Sequence, residues 1–116
     1  KQVRPNIHID DISDVYLFML DHPEHVGIFN AGFENISLID IAKRVTEQVE
    51  AEIVVTESND LRSYRVNSDK LLATGFRPKK TVNDAFHEII QKYRSGDLKD
   101  EDRYYNLKWM QKEVIQ

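Results

Sequence analysis

Between Val26 and Glu57 two short apolar runs, "VGIFNAG" and "AEIVVTE", bracket a stripe made of Leu38, Ile41, Ala42, Val45 and Val49. Apolar residues three, four and seven apart line one face of a helix, whereas short β-branched runs bounded by a proline loop or a glycine suit buried strands. Ser37 followed by Asp40 marks the helix start, and the helix is predicted to run to about Glu50. Strand, helix, strand in that order predicts a βαβ unit whose two strands are parallel and joined by a right-handed crossover. That unit constrains the fold more than anything else in the chain. It commits the molecule to the α/β class, with short parallel strands and four or five helices.

The flanks add those helices. "KQVRPNIHIDD" carries Ile7 and Ile9 in alternation after Pro5, a brief extended piece. Ile12, Val15, Tyr16, Met19 and Leu20 then recur at helical spacing behind an Asp10 or Asp11 cap, until Pro23 ends the helix. From Asp60 the chain is polar and irregular up to Ser68, which is placed to cap a short helix, "DKLLAT", stopped by Gly75. Past the loop "FRPKK", Thr81 opens the strongest amphipathic helix, with Val82, Ala85, Phe86, Ile89, Ile90 and Tyr93 on one side and Gly96 at its end. The division is therefore a domain over residues 1–96 and a charged tail over 97–116, expected to form a terminal helix through Tyr104, Tyr105, Leu107, Trp109 and Met110.

Charge and composition narrow the function classes. Sixteen basic against twenty acidic residues leave a net charge of −4, and the one basic cluster, Arg77, Lys79 and Lys80, lacks interleaved aromatics. A nucleic-acid partner calls for a basic face, so none is expected. No apolar run is long enough to span a bilayer and no charged-then-apolar leader is present, so no membrane partner is expected. The absence of cysteine removes thiolate and disulfide chemistry and fits a cytoplasmic protein.

Catalytic and cofactor patterns are thin. The four glycines stand at 27, 32, 75 and 96, too scattered for the glycine-rich turn that lets a pyrophosphate approach bare backbone at a helix start. "HPEH" holds His22 and His25, but Pro23 breaks the helix that would bring both to one face, so no metal site is expected. His8 alternates away from Ile7 and Ile9 and reads as a structural hydrogen-bonding residue. Tyr104 and Lys108 are one helical turn apart, the spacing at which an ammonium tunes a phenol, yet they lie on the charged tail after every other element. What remains is arginine. Arg4 lies beside the first extended piece, and Arg62 and Arg65 flank Tyr64 in the irregular segment. Guanidinium forks next to an aromatic ring suit an anionic, ring-bearing ligand.

Three segments taken together resemble a known family. "VRPNIHIDDISDVYLFML", "FNAGFENISLIDIAKRV" and "DLRSYRVNSDKLLATGFRPKKTVNDAFHEII" follow, in order, the C-terminal portion of the extended short-chain dehydrogenase/reductases, the NAD-dependent nucleotide-sugar epimerases and dehydratases. The likeness runs from about Val3 to Arg94. It implies the C-terminal portion of a Rossmann-type fold, in which residues 1–96 bind substrate. Arg4 corresponds to the arginine that contacts the substrate diphosphate, and Tyr64 to a position lining the nucleotide-sugar pocket. A second family arginine falls where this chain has Glu57, and Arg62 takes its place. Asn67, where many members carry aspartate, is structural.

The resemblance also implies what lies outside the chain. The glycine-rich turn, the catalytic tyrosine–lysine pair, and with them NAD or NADP, belong to an N-terminal Rossmann domain upstream of Lys1. The expectation is a piece of a larger, homodimeric enzyme that binds a nucleoside-diphosphate sugar, with no catalytic and no cofactor-binding residue of its own and no activity alone. The alternative is a stand-alone, non-catalytic binding or assembly module of the same architecture. Under the first reading, part of the apolar surface should lie uncovered.

Overall fold

The computed structural model describes residues 2–57, 59–60 and 62–113. Along the chain lie β1 (Val3–Asn6), α1 (Ile9–Asp21), β2 (Glu34–Ser37), α2 (Leu38–Thr46), α3 (Asp69–Ala73), α4 (Val82–Ser95), a 3-10 turn (Asp102–Tyr104) and α5 (Asn106–Glu113). The molecule is mixed α/β, with five helices and one two-stranded sheet among the described residues. β1 and β2 pair antiparallel, with Val3 opposite Ser37, Arg4 opposite Ile36, Pro5 opposite Asn35 and Asn6 opposite Glu34.

This corrects the expected parallel βαβ unit. Neither "VGIFNAG" nor "AEIVVTE" forms a ladder among the described residues. A β-prone run becomes a strand only where a neighbour takes its N–H and C=O groups. Here Ile28 and Val55 are 86% and 79% exposed, and no strand among the described residues lies beside them. The first extended piece also falls earlier than Ile7 and Ile9: β1 contains Arg4 and Pro5, and Ile9 already begins α1.

The helix starts show how sequence signals are reassigned by packing. α1 is capped by His8, whose Nδ1 accepts the Asp10 N–H at 3.1 Å, and not by Asp10 or Asp11. Asp11 is buried and does something else: its two oxygens accept the backbone N–H groups of Lys79 (2.8 Å) and Lys80 (3.0 Å). Ser37 caps α2 as expected, accepting from Asp40 N–H at 3.2 Å, though the helix ends at Thr46. Before α3 it is Asn67 that accepts the Asp69 N–H (2.7 Å), because the Ser68 hydroxyl is spent on the N–H and C=O of Gly32 (3.0 and 3.1 Å). A Cβ at Gly32 would come within 3.1 Å of the Pro5 side chain, so glycine permits this close crossing. α4 opens on a full Thr81–Asp84 capping box and closes on Gly96 at φ +81°.

The buried apolar core is small: Ile36, Leu71, Phe76 and Val82 among the described residues. Phe18 meets Phe76 edge-on at 5.5 Å between ring centroids, and Phe33 stacks on it at 5.9 Å. These rings tie α1, the sheet edge and the α3–α4 loop together. The radius of gyration is 17.2 Å, against about 13 Å for a compact domain of this length. No helix among the described residues is long and apolar enough to cross a membrane.

Candidate functional site

The free edge of β1 is covered by the irregular segment that follows Asn59. Tyr64 donates its N–H to the Val3 C=O at 3.3 Å, and Val3 donates its own N–H to the Ser63 hydroxyl at 3.1 Å. Gln2 adds a hydrogen bond from its side-chain amide to the Asp60 C=O. Further along, the Asn35 side chain brackets Val66, accepting its N–H at 2.9 Å and donating to its C=O at 3.0 Å. From Arg62 on, the segment thus lies against the sheet without forming a ladder, held mostly by side chains. No periodic pattern marks it in the sequence, because side-chain clamps need no alternation.

This placement brings Arg4, Arg62 and Tyr64 together around one carboxylate, Asp60. Arg4 Nη2 donates to Asp60 Oδ2 at 3.1 Å, and its other terminal nitrogen donates to the C=O groups of Val3 and Arg62. Arg62 meets the same carboxylate as a fork, Nε to Oδ1 at 2.8 Å and Nη2 to Oδ2 at 2.9 Å, and its N–H adds a bond at 3.0 Å. The Arg4 guanidinium also lies 5.3 Å from the centre of the Tyr64 ring, within cation–π range. Hydrogen bonding from Arg62, first from its side chain and then from its N–H, holds the Asp60 carboxyl far below the usual carboxylate range. The same bond pushes the Arg62 guanidinium further up. Among the described residues, two guanidiniums and one carboxylate make this cluster. Arg4 is its sheltered member and Arg62, 79% exposed, its outward one.

Arg65, on the same segment, belongs to a different surface. It borders an open groove of about 770 Å³ with Phe33, Asn35, Asn67, Leu72 and Arg77. Arg77 reaches back to the C=O groups of Leu72 and Phe76, both at 2.6 Å, which fixes the guanidinium at the groove's rim. Arg4, Arg62 and Tyr64 are not among the residues that line this groove. Arg65 was visible beside Tyr64, but only the sheet contacts show that neighbours on an extended segment face opposite ways.

Other groups singled out by sequence resolve differently. His8 is buried; its Nε2 faces Glu88 at 3.3 Å while Nδ1 caps α1, a structural placement. Tyr104 and Lys108 do not pair. Lys108 lies over the Tyr105 ring at 4.3 Å and 3.9 Å from Asp102, while the Tyr104 hydroxyl meets Arg103 at 3.0 Å. His22 and His25 are brought together after all, by the turn around Pro23 and not by a helix, with their rings 5.7 Å apart. Glu57, on the residue where a further arginine was looked for, is exposed.

With this geometry in place, comparison with known proteins gives one informative likeness. The chain is similar to the dihydroflavonol 4-reductase of Solanum lycopersicum. Identity is 28% over 96 residues, covering 79% of this chain and 25% of the reductase. The chain therefore spans a quarter of the length of the curated relative it matches. No family model matches, and no solved structure does.

Proposed function

We propose that this chain is the substrate-binding C-terminal portion of an NAD(P)-dependent enzyme of the extended short-chain dehydrogenase/reductase type, acting on a nucleoside-diphosphate sugar by epimerisation or dehydration. The observation that carries this reading is the convergence of Arg4 and Arg62 on Asp60 beside the Tyr64 ring. A carboxylate shared by two guanidiniums keeps them aimed at one place, and a diphosphate brings more charge than Asp60 to the same forks. Arg4 and Arg62 would grip the phosphates, and Tyr64 would offer its ring to the base or sugar. The likeness to a reductase supports the oxidoreductase side of the reading.

Cofactor and catalysis fall to a Rossmann domain that this chain would dock against, in a homodimeric cytoplasmic enzyme. The uncovered apolar side chains of α1 (Tyr16, Leu17, Leu20) and of the unpaired runs (Val26, Ile28, Val54, Val55) support such a docking. They count against the alternative of a self-sufficient binding module. A further reading, favoured by the name of the similar reductase, is reduction of an uncharged ring-bearing substrate. It would leave the arginines a purely structural duty.

Calorimetric titration of the chain with uridine, guanosine, cytidine and thymidine diphosphates separates these readings. The proposal expects salt-sensitive binding of at least one, weakened about tenfold or more by Arg62→Ala, as befits loss of a charge-assisted fork. Absence of binding by all four would leave only the uncharged-substrate reading. Alone, with NAD or NADP added, the chain should turn over no nucleotide sugar.

A further inference from the structure

The turn after α1 gathers three metal-binding side chains that the function above does not use. His22, Glu24 and His25 each present a ligand atom, and these atoms all lie within 4.8 Å of one another. Glu24 Oε1 is 3.0 Å from His22 Nδ1 and 3.8 Å from His25 Nε2. An ion held at about 2.0–2.1 Å by each ligand sets neighbouring ligand atoms roughly 2.9–3.4 Å apart. The first separation falls within that range and the second lies just above it, a gap the exposed Glu24 side chain can close by rotation.

The backbone beneath is pinned. His22 donates its N–H to the Phe18 C=O at 3.0 Å, and His25 donates its own to the His22 C=O at 3.0 Å. Pro23 stiffens the turn between them. Phe18 packs against both imidazoles, at 4.3 and 6.0 Å between ring centroids, and Phe29 meets His25 edge-on at 6.4 Å. An aromatic wall thus orients both rings from behind and leaves their solvent side open.

We propose that His22, Glu24 and His25 form a binding site for a divalent transition ion of the zinc or copper class, with two imidazoles and one carboxylate as protein ligands and water completing the shell. Two nitrogens and one oxygen match the donor sets such ions take, whereas calcium and magnesium ask for oxygen alone. The other histidine–carboxylate group among the described residues, His8, Asp10 and Glu88, is no rival. His8 is buried, its Nδ1 is engaged by the Asp10 N–H, and the Glu88 carboxylate that faces its Nε2 is already held by the Lys80 ammonium at 2.6 Å. A bound ion would staple the end of α1 to the chain leading into Val26–Gly32.

Titration of the untagged chain with Co2+, followed by its visible absorption and then by displacement with Zn2+, tests the proposal. Co2+ should bind with a one-to-one endpoint, Zn2+ should displace it, and saturating Zn2+ should raise Tm. Glu24→Gln, at an exposed side chain, and His25→Gln should each weaken binding about tenfold or more. Circular dichroism of the variants separates ligand loss from unfolding, which matters for both histidines because each ring packs on Phe18. The proposal is overturned if the folded E24Q/H25Q double variant binds Zn2+ as tightly as the wild-type chain.

Discussion

Leu71, Phe76 and Val82 are buried, while Val26, Ile28, Val54 and Val55, no less apolar, lie open to solvent. The two regions differ in what happens to their polar backbone. Around the first, side chains take up the backbone groups of the loop and helix start: Asp11 accepts from Lys79 and Lys80, Glu34 accepts from Val82 at 2.6 Å, and Arg77 donates to Leu72 and Phe76. Around the second, no strand lies alongside among the described residues. Burying an unsatisfied peptide group costs more than one aliphatic side chain returns, so apolar side chains go under only where the backbone is satisfied with them.

Asp11 is where this comparison breaks most readily. Asp11→Ala leaves two backbone N–H groups without acceptors at a buried position, and a loss of about 3 kcal/mol in urea unfolding is expected. A loss under ~0.5 kcal/mol would mean that the loop is held by its apolar contacts alone.

Two truncations of similar chemistry sharpen the contrast. Leu71→Ala should lower stability by about 2–5 kcal/mol, the usual range for a fully buried leucine. Ile28→Ala should change it by less than about 0.5 kcal/mol. Equal effects would show that Ile28 is covered in solution, as by a second copy.

A smaller effect is expected from pH. The Lys80 ammonium, bonded to Glu88 at 2.6 Å, holds that carboxyl below its ordinary 4.5. The Thr81 hydroxyl and N–H, at 2.6 and 2.7 Å, hold Asp84 below its ordinary 3.8. In both cases the unfolded chain takes up its proton first. Their contribution is therefore complete above the ordinary values and is lost as pH falls through the lowered ones. Tm should decline below about pH 4.5, and Lys80→Met should flatten that decline. A profile unchanged in the variant would put the acid sensitivity elsewhere.

The smallest stability change belongs to Ile28→Lys, made on the open run. Its Tm should stay near that of the wild type, while sedimentation should show reduced self-association if these runs meet a second copy. A wild-type chain that stays monomeric at every concentration would remove the homodimer from the proposal.

Much of the helical framework was legible in the sequence. The Thr81 start, the Ser37 cap and the Gly96 stop act over three or four residues, and nothing distant competes with them. Of the candidates the sequence offered for an anionic ligand, Arg4, Arg62, Arg65 and Tyr64, the structure brings the first two and Tyr64 together. Their common anchor, Asp60, was missed, because nothing local in "NDLRSYR" ties Asp60 to an arginine 56 residues away. His8 and Asp11 exchanged expected roles for a similar reason. An aspartate near a helix start is an ordinary cap until the fold brings two unpaired N–H groups from Lys79 and Lys80 against it.

The sequence by itself determined which stretches became helices and, at Thr81 and Gly96, where one of them begins and ends, since helical periodicity and these stops depend on residues within one or two turns. It also determined the kind of chemistry available: guanidiniums, one well-placed tyrosine, imidazoles, and no thiol. The tertiary structure alone decided which β-prone residues became strands, how those strands were oriented, and which charged groups share a partner. Strand formation and charge pairing both require a second segment, and that segment is chosen by packing across the whole chain. "VRPN" therefore became a strand against "ENIS", antiparallel, while the more β-prone "VGIF" and "IVV" form no ladder among the described residues.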